Sequence, residues 1–307
     1  MRIRAASTRG EAVRRAAATL DASGIAIARR EAMWLVAHVV GKPHAALSAE
    51  ADIPLSAAQR IRLDTLVRRR SRREPLQYLL GSIEFAGATL AVSPAVLIPR
   101  PETEELIGLV LDQMRGRRAA LTCADLGTGS GCIAIALARA MPRSRWWAGD
   151  QSASALDVAR ANARANRVAR RIAFRAGDWW AAFPAGLRFD LVVANPPYVA
   201  EGTALEPELA HEPDIALFGG QDGLGPYRAL FAGIALRLTP GGVFMGELGL
   251  GQQTAVTHLA RAHGLGTPRF ARDMTGRIRF VIIEAKTSAR RQLRCSSAHL
   301  TGNTCCL

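Results

Sequence analysis

Four residues, Asn195-Pro196-Pro197-Tyr198, follow the apolar run Asp190–Ala194 and carry a specific chemical possibility. Two prolines remove two backbone N–H donors and stiffen the chain. What remains to face a cleft is acceptors: the Asn195 side-chain oxygen and the Pro196 carbonyl. A planar amino or amide nitrogen carries two hydrogens that such acceptors can hold while the nitrogen is aimed at an electrophile. An amide nitrogen is a poor nucleophile, because its lone pair is delocalised into the carbonyl. Positioning and electrostatic stabilisation must therefore supply the rate. No lysine or histidine base is needed if the proton leaves after the transfer. Tyr198 can pack against the plane of the target. The alternative without chemistry is a rigid surface turn.

A second cluster is Asp125-Leu126-Gly127-Thr128-Gly129-Ser130-Gly131. Three glycines let the backbone turn tightly and approach a ligand closely. The spacing G-x-G-x-G, followed by Cys132, differs from the dinucleotide fingerprint. Asp125 would repel a pyrophosphate but attract a cationic sulfonium and amino group. Asp150 lies about 23 residues beyond Gly127, where a carboxylate can take both ribose hydroxyls. Asp178 can accept from an adenine amino group, and Trp179 can stack on or wall the ring. Together, at the ends of three successive strands, these residues point to S-adenosylmethionine. A glycine turn that serves packing only is the alternative.

The elements that must position these residues follow from the apolar pattern. From 119 to 284, strand-like runs alternate with helical stretches. The strands are Leu121–Ala124, Arg145–Gly149, Arg171–Ala176, Phe189–Ala194, Gly242–Glu247 and Ile278–Glu284. The helices include Cys132–Met141, Ala153–Asn166, Pro226–Leu238 and Gln252–His263. Such alternation predicts an α/β domain with a parallel sheet covered on both faces. Ligands in such sheets bind at the carboxyl ends of the strands. The methyl-donor and acceptor motifs both lie there.

Residues 1–75 read as a small helical bundle. Val13, Ala16, Ala17 and Leu20 form one face, and Ala32, Leu35, Val36 and Val39 another. Ser56 caps a third helix whose Leu63, Leu66 and Val67 turn inward. The Arg68–Arg73 cluster is expected to face out as a solvated surface. Residues 76–100 have hairpin composition and read as a linker. Residues 101–285 form the catalytic domain, and its first helix opens with Pro101 and three glutamates, Glu102, Glu104 and Glu105, where the helix dipole favours them. Residues 286–307 contain no acid and no periodicity and read as a disordered tail, with a read-through extension as the other possibility.

The chain has 307 residues, 40 Lys+Arg against 26 Asp+Glu, and 49% apolar composition. That is enough to bury a core without disulfides or metals, and no apolar run is long enough to span a bilayer. The net charge of +14 is nearly all arginine, since Lys42 and Lys286 are the only lysines. It is consistent with a coding bias or with a surface that meets phosphate or an acidic partner. Residues 1–75 and the tail carry most of it, so the segment with the two motifs is close to neutral. Five cysteines without a C-x-x-C pattern fit a reducing cytosol and argue against a metal site. The N-terminus lacks the apolar core of a secretory signal; it is Arg-rich, but Glu11 and the helical pattern after it read as folded protein.

These residues resemble a known family. Asn195–Tyr198 with the Asp125–Gly131 loop is similar to the class I methyltransferases that act on planar nitrogen. Gln77-Tyr78-Leu79-Leu80-Gly81, Phe85, Leu97–Glu104, Glu212-Pro213, Ala216-Leu217, Gly219-Gly220, Asp222-Gly223-Leu224, Glu247-x-Gly249-x-x-Gln252 and Asp273-x-x-Gly276-x-x-Arg279 narrow the resemblance. They resemble the peptide chain release factor glutamine methyltransferases of the HemK/PrmC type. The resemblance implies a helical bundle, a β-hairpin linker and a Rossmann-like methyltransferase domain. It implies that Gly127, Thr128, Gly129, Ser130, Gly131, Asp150, Trp179 and Asn195 bind S-adenosylmethionine, beside Asp125 and Asp178, which their chemistry already assigns to the same ligand. It further implies that Asn195, Pro196 and Tyr198 are catalytic, and that they, with Pro197, Arg100 and Glu102, hold the substrate. That substrate is the glutamine of the Gly-Gly-Gln tripeptide in class 1 peptide chain release factors. The expected enzyme is cytoplasmic, acts in translation termination and needs no membrane, no metal and no obligatory nucleic acid.

Other assignments are weighed beside this one. A sister family methylates a large-subunit ribosomal protein, but carries Arg-Ser-Pro where this chain has Arg100-Pro101-Glu102. An adenine or guanine N-methyltransferase would share the Asn-Pro-Pro-Tyr chemistry but would need a nucleic-acid module. An oxidoreductase is opposed by Asp125, and a plain RNA-binding protein by the lack of an aromatic stacking motif. Gly219-Gly220-Gln221 is itself Gly-Gly-Gln, a coincidence in a turn whose third residue varies. His211 reads as a surface histidine, and Trp146 and Trp147 as packing.

Overall fold

The computed structural model describes residues 7–117 and 119–286. The expected tail beyond Lys286 lies outside the described residues. The described chain falls into two compact units. One holds the described residues up to Ile83 together with Val92–Pro94 and Ala204–Pro213. The other holds Glu84–Ala91, Ala95–Thr203 and the described residues from Asp214 on.

In the first unit, helices α1 (Arg9–Asp21), α2 (Ala28–Val40) and α3 (Ala57–Ser71) pack around Leu20, Leu35 and Leu63, all fully buried. Capping boxes start two of them, Thr8 with Glu11 and Ser56 with Gln59, each satisfying otherwise orphaned backbone donors. Gly41, at φ 69°, ends α2 in the left-handed conformation that glycine tolerates best. The Arg68–Arg73 cluster does not face out as a whole. Arg70 turns inward and is buried, its Nε donating to Glu31 Oε2 at 2.5 Å and its Nη1 to Glu208 Oε1 at 3.1 Å. Arg73 also donates to Glu208, at 2.8 Å. The buried carboxylate of Glu31 is the physical reason for the inward turn, since a charge out of water needs a partner.

A short helix α4 (Leu76–Leu80) precedes the hairpin of β1 (Ser82–Phe85) and β2 (Ala88–Ala91). Its turn, Ala86-Gly87, has positive φ at both residues, as tight hairpins require.

The second unit is built on a seven-stranded sheet. Its strands are β3 (Thr122–Leu126), β4 (Arg145–Asp150), β5 (Ile172–Ala176), β6 (Phe189–Ala194), β7 (Leu238–Glu247), β8 (Arg269–Arg272) and β9 (Ile278–Glu284), in the order β5-β4-β3-β6-β7-β9-β8. The first five in that order are parallel, and β9 joins β7 antiparallel, with β8 antiparallel on the edge. The sheet is therefore mostly parallel, and its last two strands differ from the expected direction. Helices α5 (Pro101–Gln113), α6 (Cys132–Ala140), α7 (Ala153–Ala165), α8 (Asp214–Leu217), α9 (Gly225–Arg237) and α10 (Gln253–Ala262) complete the unit. Phe189, Tyr227, Phe231 and Phe244 form its aromatic core. Trp146 is buried and donates to Ser144 Oγ at 2.8 Å, in keeping with a packing role.

Chain order runs outward from β3 in both directions, to β4 and β5 on one side and β6 and β7 on the other. The switch point is thus between β3 and β6, where open α/β sheets form a crevice. No helix among the described residues is long and apolar enough to cross a membrane.

Candidate active site

Both motifs lie at this crevice. Strands β3 and β6 pair with Leu126 opposite Ala194, so Gly127 and Asn195 are the next residues beyond two adjacent strand ends.

The glycine loop folds over the end of β4. Gly127 and Thr128 both donate their backbone N–H to the Gly149 carbonyl, at 2.9 and 3.0 Å. Gly129 donates to Asp150 Oδ2 at 2.8 Å, and Ser152 donates to Asp150 Oδ1 at 2.9 Å. These bonds fix the Asp150 carboxylate, and burial raises its pKa from the ordinary carboxylate value. Gly131 caps α6 at φ 82° and packs on Ala159 so closely that a Cβ there would meet Ala159 Cβ at 3.2 Å. Ser130 is buried, and its carbonyl accepts from Asn162 Nδ2 at 2.9 Å.

Asp125 lies beneath the loop, fully buried. Its Oδ2 accepts from the Thr128 hydroxyl at 2.6 Å and from the Ala134 N–H at 3.2 Å. Burial pushes its carboxyl up to about 7. Its Oδ1 is buried without a hydrogen-bond partner in the protein. A buried orphan acceptor of this kind is costly unless a ligand satisfies it. The loop therefore fits S-adenosylmethionine, whose cationic amino group is a suitable partner.

Trp179 flanks the loop, and a Cβ on Gly127 would meet its ring at 3.7 Å. Its own φ of 41° is unusual for a residue with a side chain. Such backbone is held in place by its surroundings and is often found at ligand sites. Asp178, just before it, is exposed.

Asn195, Pro197 and Tyr198 are half-buried and Pro196 is buried. The turn is held from several sides. Gln252 Nε2 donates to the Tyr198 and Gly223 carbonyls at 3.2 Å each. Val199 donates to the Leu217 carbonyl and accepts from Gly219 N–H. A side chain on Gly219 would strike the Pro197 carbonyl, and one on Gly223 the Tyr198 carbonyl. The Gly219-Gly220 pair thus serves close backbone packing, and Gln221 is exposed. Burial raises the Tyr198 phenol, and Arg279 lies over its ring, 5.3 Å from the centroid.

Arg100 and Glu102 sit at the start of α5. The next residue, Thr103, stands in the sequence only as part of the matched stretch Leu97–Glu104, without a role of its own, and is buried. Its hydroxyl meets both Asn195 Nδ2 at 3.0 Å and Glu247 Oε2 at 2.9 Å. A signal was available, because Thr103 shares the inward stripe of α5 with Leu106, Ile107 and Val110. A polar residue on an apolar stripe needs a polar partner. Glu247, Arg279 and Gln252 stood only as family matches and had been given no role. His211 is exposed, its ring nitrogen 3.4 Å from the Arg72 carbonyl.

Comparison with known proteins adds the following. Residues 11–81 match the model of the PrmC N-terminal domain, and residues 107–212 that of the methyltransferase small domain. The release factor glutamine methyltransferase of Bordetella pertussis is 42% identical over 250 residues, covering 81% of this chain and 92% of that protein. That of Cereibacter sphaeroides is 40% identical over 274 residues, covering 88% and 96%. Among solved structures, the hMettl16 catalytic domain superposes with a TM-score of 0.53 at 15% identity, covering 75% of this chain and 82% of that one. A methyltransferase from Pyrococcus furiosus gives 0.50 at 16% identity, covering 65% and 90%. The structural likenesses show the fold.

Proposed function

The chain belongs to the release factor glutamine methyltransferase family, and from that premise we propose that it methylates the side-chain amide nitrogen of the glutamine in the Gly-Gly-Gln tripeptide of class 1 release factors. The observation that carries this reading is the pairing of Leu126 with Ala194, which sets the glycine loop and the acceptor turn side by side. A ribosomal-protein or nucleic-acid target is not favoured. A release factor as substrate supports a cytoplasmic location for the enzyme.

S-adenosylmethionine, when bound, supplies a methyl carbon that passes to the amide nitrogen as its S–C bond breaks, leaving a neutral thioether and a proton to be lost from nitrogen. The Gly127–Gly131 backbone, Asp125, Asp150, Asp178 and Trp179 would hold it. Asn195 Oδ1 and the Pro196 carbonyl accept the two amide hydrogens of the glutamine and so fix the direction of its nitrogen. As charge develops on that nitrogen, the same acceptors stabilise it. Tyr198 walls the amide plane, and Arg100 and Glu102 line the approach.

The test is transfer of tritiated methyl from S-adenosylmethionine to purified release factor and to its Gln→Asn tripeptide variant. The expected result is label in the first and none in the second. Label in neither would remove the activity, and equal label in both would remove the target.

A further inference from the structure

Glu247 ends β7 with its side chain fully buried. Its contacts connect the two ends of the acceptor turn. Thr103 Oγ1 donates to Glu247 Oε2 at 2.9 Å, and Asn195 Nδ2 donates to Thr103 Oγ1 at 3.0 Å. On the other oxygen, the Tyr198 hydroxyl donates to Glu247 Oε1 at 3.3 Å. Arg279 Nη2 donates to both Tyr198 Oη, at 3.1 Å, and Glu247 Oε1, at 3.4 Å.

A hydroxyl has one proton. With that proton given to the Glu247 carboxylate, Thr103 can only accept from Asn195. The Asn195 amide must therefore turn its NH2 toward Thr103 and its oxygen away. An oxygen turned that way is the acceptor that glutamine methylation requires. Tyr198 is set by the same logic, donating to the carboxylate while accepting from Arg279.

We propose that Glu247 is a positioning residue that sets both ends of the Asn195–Tyr198 turn, orienting the Asn195 amide through Thr103 and the Tyr198 hydroxyl directly. The catalytic consequence rests on the glutamine-methylation reading; the orientation does not. Protonation of Glu247 reverses the relay. The acid then donates to Thr103, whose own proton becomes free for the Asn195 oxygen, and the amide loses its fixed sense. Burial pushes the Glu247 carboxyl up to about 7, against the Thr103 hydroxyl and Arg279. The groups that bear on it are Arg279, which favours the carboxylate, and Glu102, which opposes it. Tyr198, Tyr227 and Cys132 are also near; Tyr227 donates to the Glu247 carbonyl at 2.5 Å. Burial raises all three, so none of them titrates near neutrality.

The experiment uses full-length protein carrying Thr103→Val, Thr103→Ser or Glu247→Gln. Valine keeps the shape of threonine and removes its hydroxyl; serine restores the hydroxyl. Thr103→Val is expected to lower kcat about tenfold to a hundredfold, the cost of small misplacements at a reacting centre. Its KM and its affinity for S-adenosylmethionine should stay within about threefold, and Thr103→Ser should recover most of the kcat. The unmodified enzyme should lose kcat as pH falls through about 7, and Glu247→Gln should flatten that profile. Equal turnover in the valine variant and the unmodified enzyme, or equal loss with serine and valine, would overturn the proposal. A second readout needs no activity. The side-chain amide resonances of Asn195, assigned by their loss in Asn195→Ala, should shift in Thr103→Val and not in Thr103→Ser. Unmoved resonances in the valine variant would overturn the orientation. Absence of transfer by the unmodified enzyme would overturn the methylation reading, while the resonances still decide the orientation.

Discussion

Asp150 Oδ2 and the backbone N–H of Gly129 are bonded at 2.8 Å, so the acid at the end of β4 and the glycine loop after β3 form one piece. Removing the carboxylate should do two things at once: take away the acceptor proposed for the ribose hydroxyls and release the loop. Asp150→Ala is expected to weaken S-adenosylmethionine binding about tenfold to a hundredfold, the range of a charge-assisted hydrogen bond. Calorimetric titration checks it, and kcat at saturating cofactor should change much less.

Asp125 gives a pH dependence. Its carboxyl is pushed up to about 7 by burial, so it is neutral below that pH and charged above it. Affinity for a cationic ligand should therefore rise between about pH 6 and 7.5, with net proton release on binding. For stability the sign is opposite. The neutral buried acid favours folding at low pH, and that contribution is lost as pH rises through about 7. Asp125→Asn keeps one acceptor for Thr128 and Ala134 and cannot ionise. It should flatten the affinity profile and melt higher than the unmodified protein at about pH 8. Titrations across pH, with melting curves on the same samples, test both.

The glycine loop should separate two kinds of damage. Gly131→Ala puts a side chain at φ 82° and within 3.0 Å of Ile135 Cδ1. It should cost at least about 1–2 kcal/mol in denaturant unfolding, from the left-handed backbone alone. Gly127→Ala carries the same left-handed backbone cost, at φ 72°, but meets only the rim of Trp179, at 3.7 Å, so it should destabilise less than Gly131→Ala while also lowering cofactor affinity.

Arg70 and Glu31 form an ion pair with side-chain exposures of 6% and 8%. Arg70→Met leaves a buried carboxylate without its cation and should destabilise the helical unit by about 3–5 kcal/mol. Removing Glu31 as well, as Leu, should recover much of that loss. Denaturant unfolding of the two variants checks this.

The central strands were legible because strands buried on both faces read as continuous apolar runs. Strand β8, Arg269-Phe270-Ala271-Arg272, was not. It lies on the sheet edge, with arginines at both ends and no strongly apolar run. The antiparallel direction of β9 was also hidden, since an apolar run does not state its direction. At the site, glycine spacing and Asn-Pro-Pro-Tyr drew attention because backbone conformation depends on those residue types. Thr103 and Glu247 meet through contacts between α5 and β7, far apart in sequence; the apolar stripe of α5 marks Thr103 as needing a polar partner, but nothing local names Glu247 as that partner. Arg70 was lost in a run of arginines for the same reason: its buried partners, Glu31 and Glu208, are remote in the chain.

The assignment of Ala204–Pro213 to the helical unit bears on how this protein can be cut. The segment begins soon after Tyr198, yet its Glu208 is bonded to Arg70 and Arg73. A fragment that starts after Ile83 would keep the segment and discard both arginines. The two units are compact in space but not severable as genes, so a deletion of the N-terminal helices would not report on those helices alone.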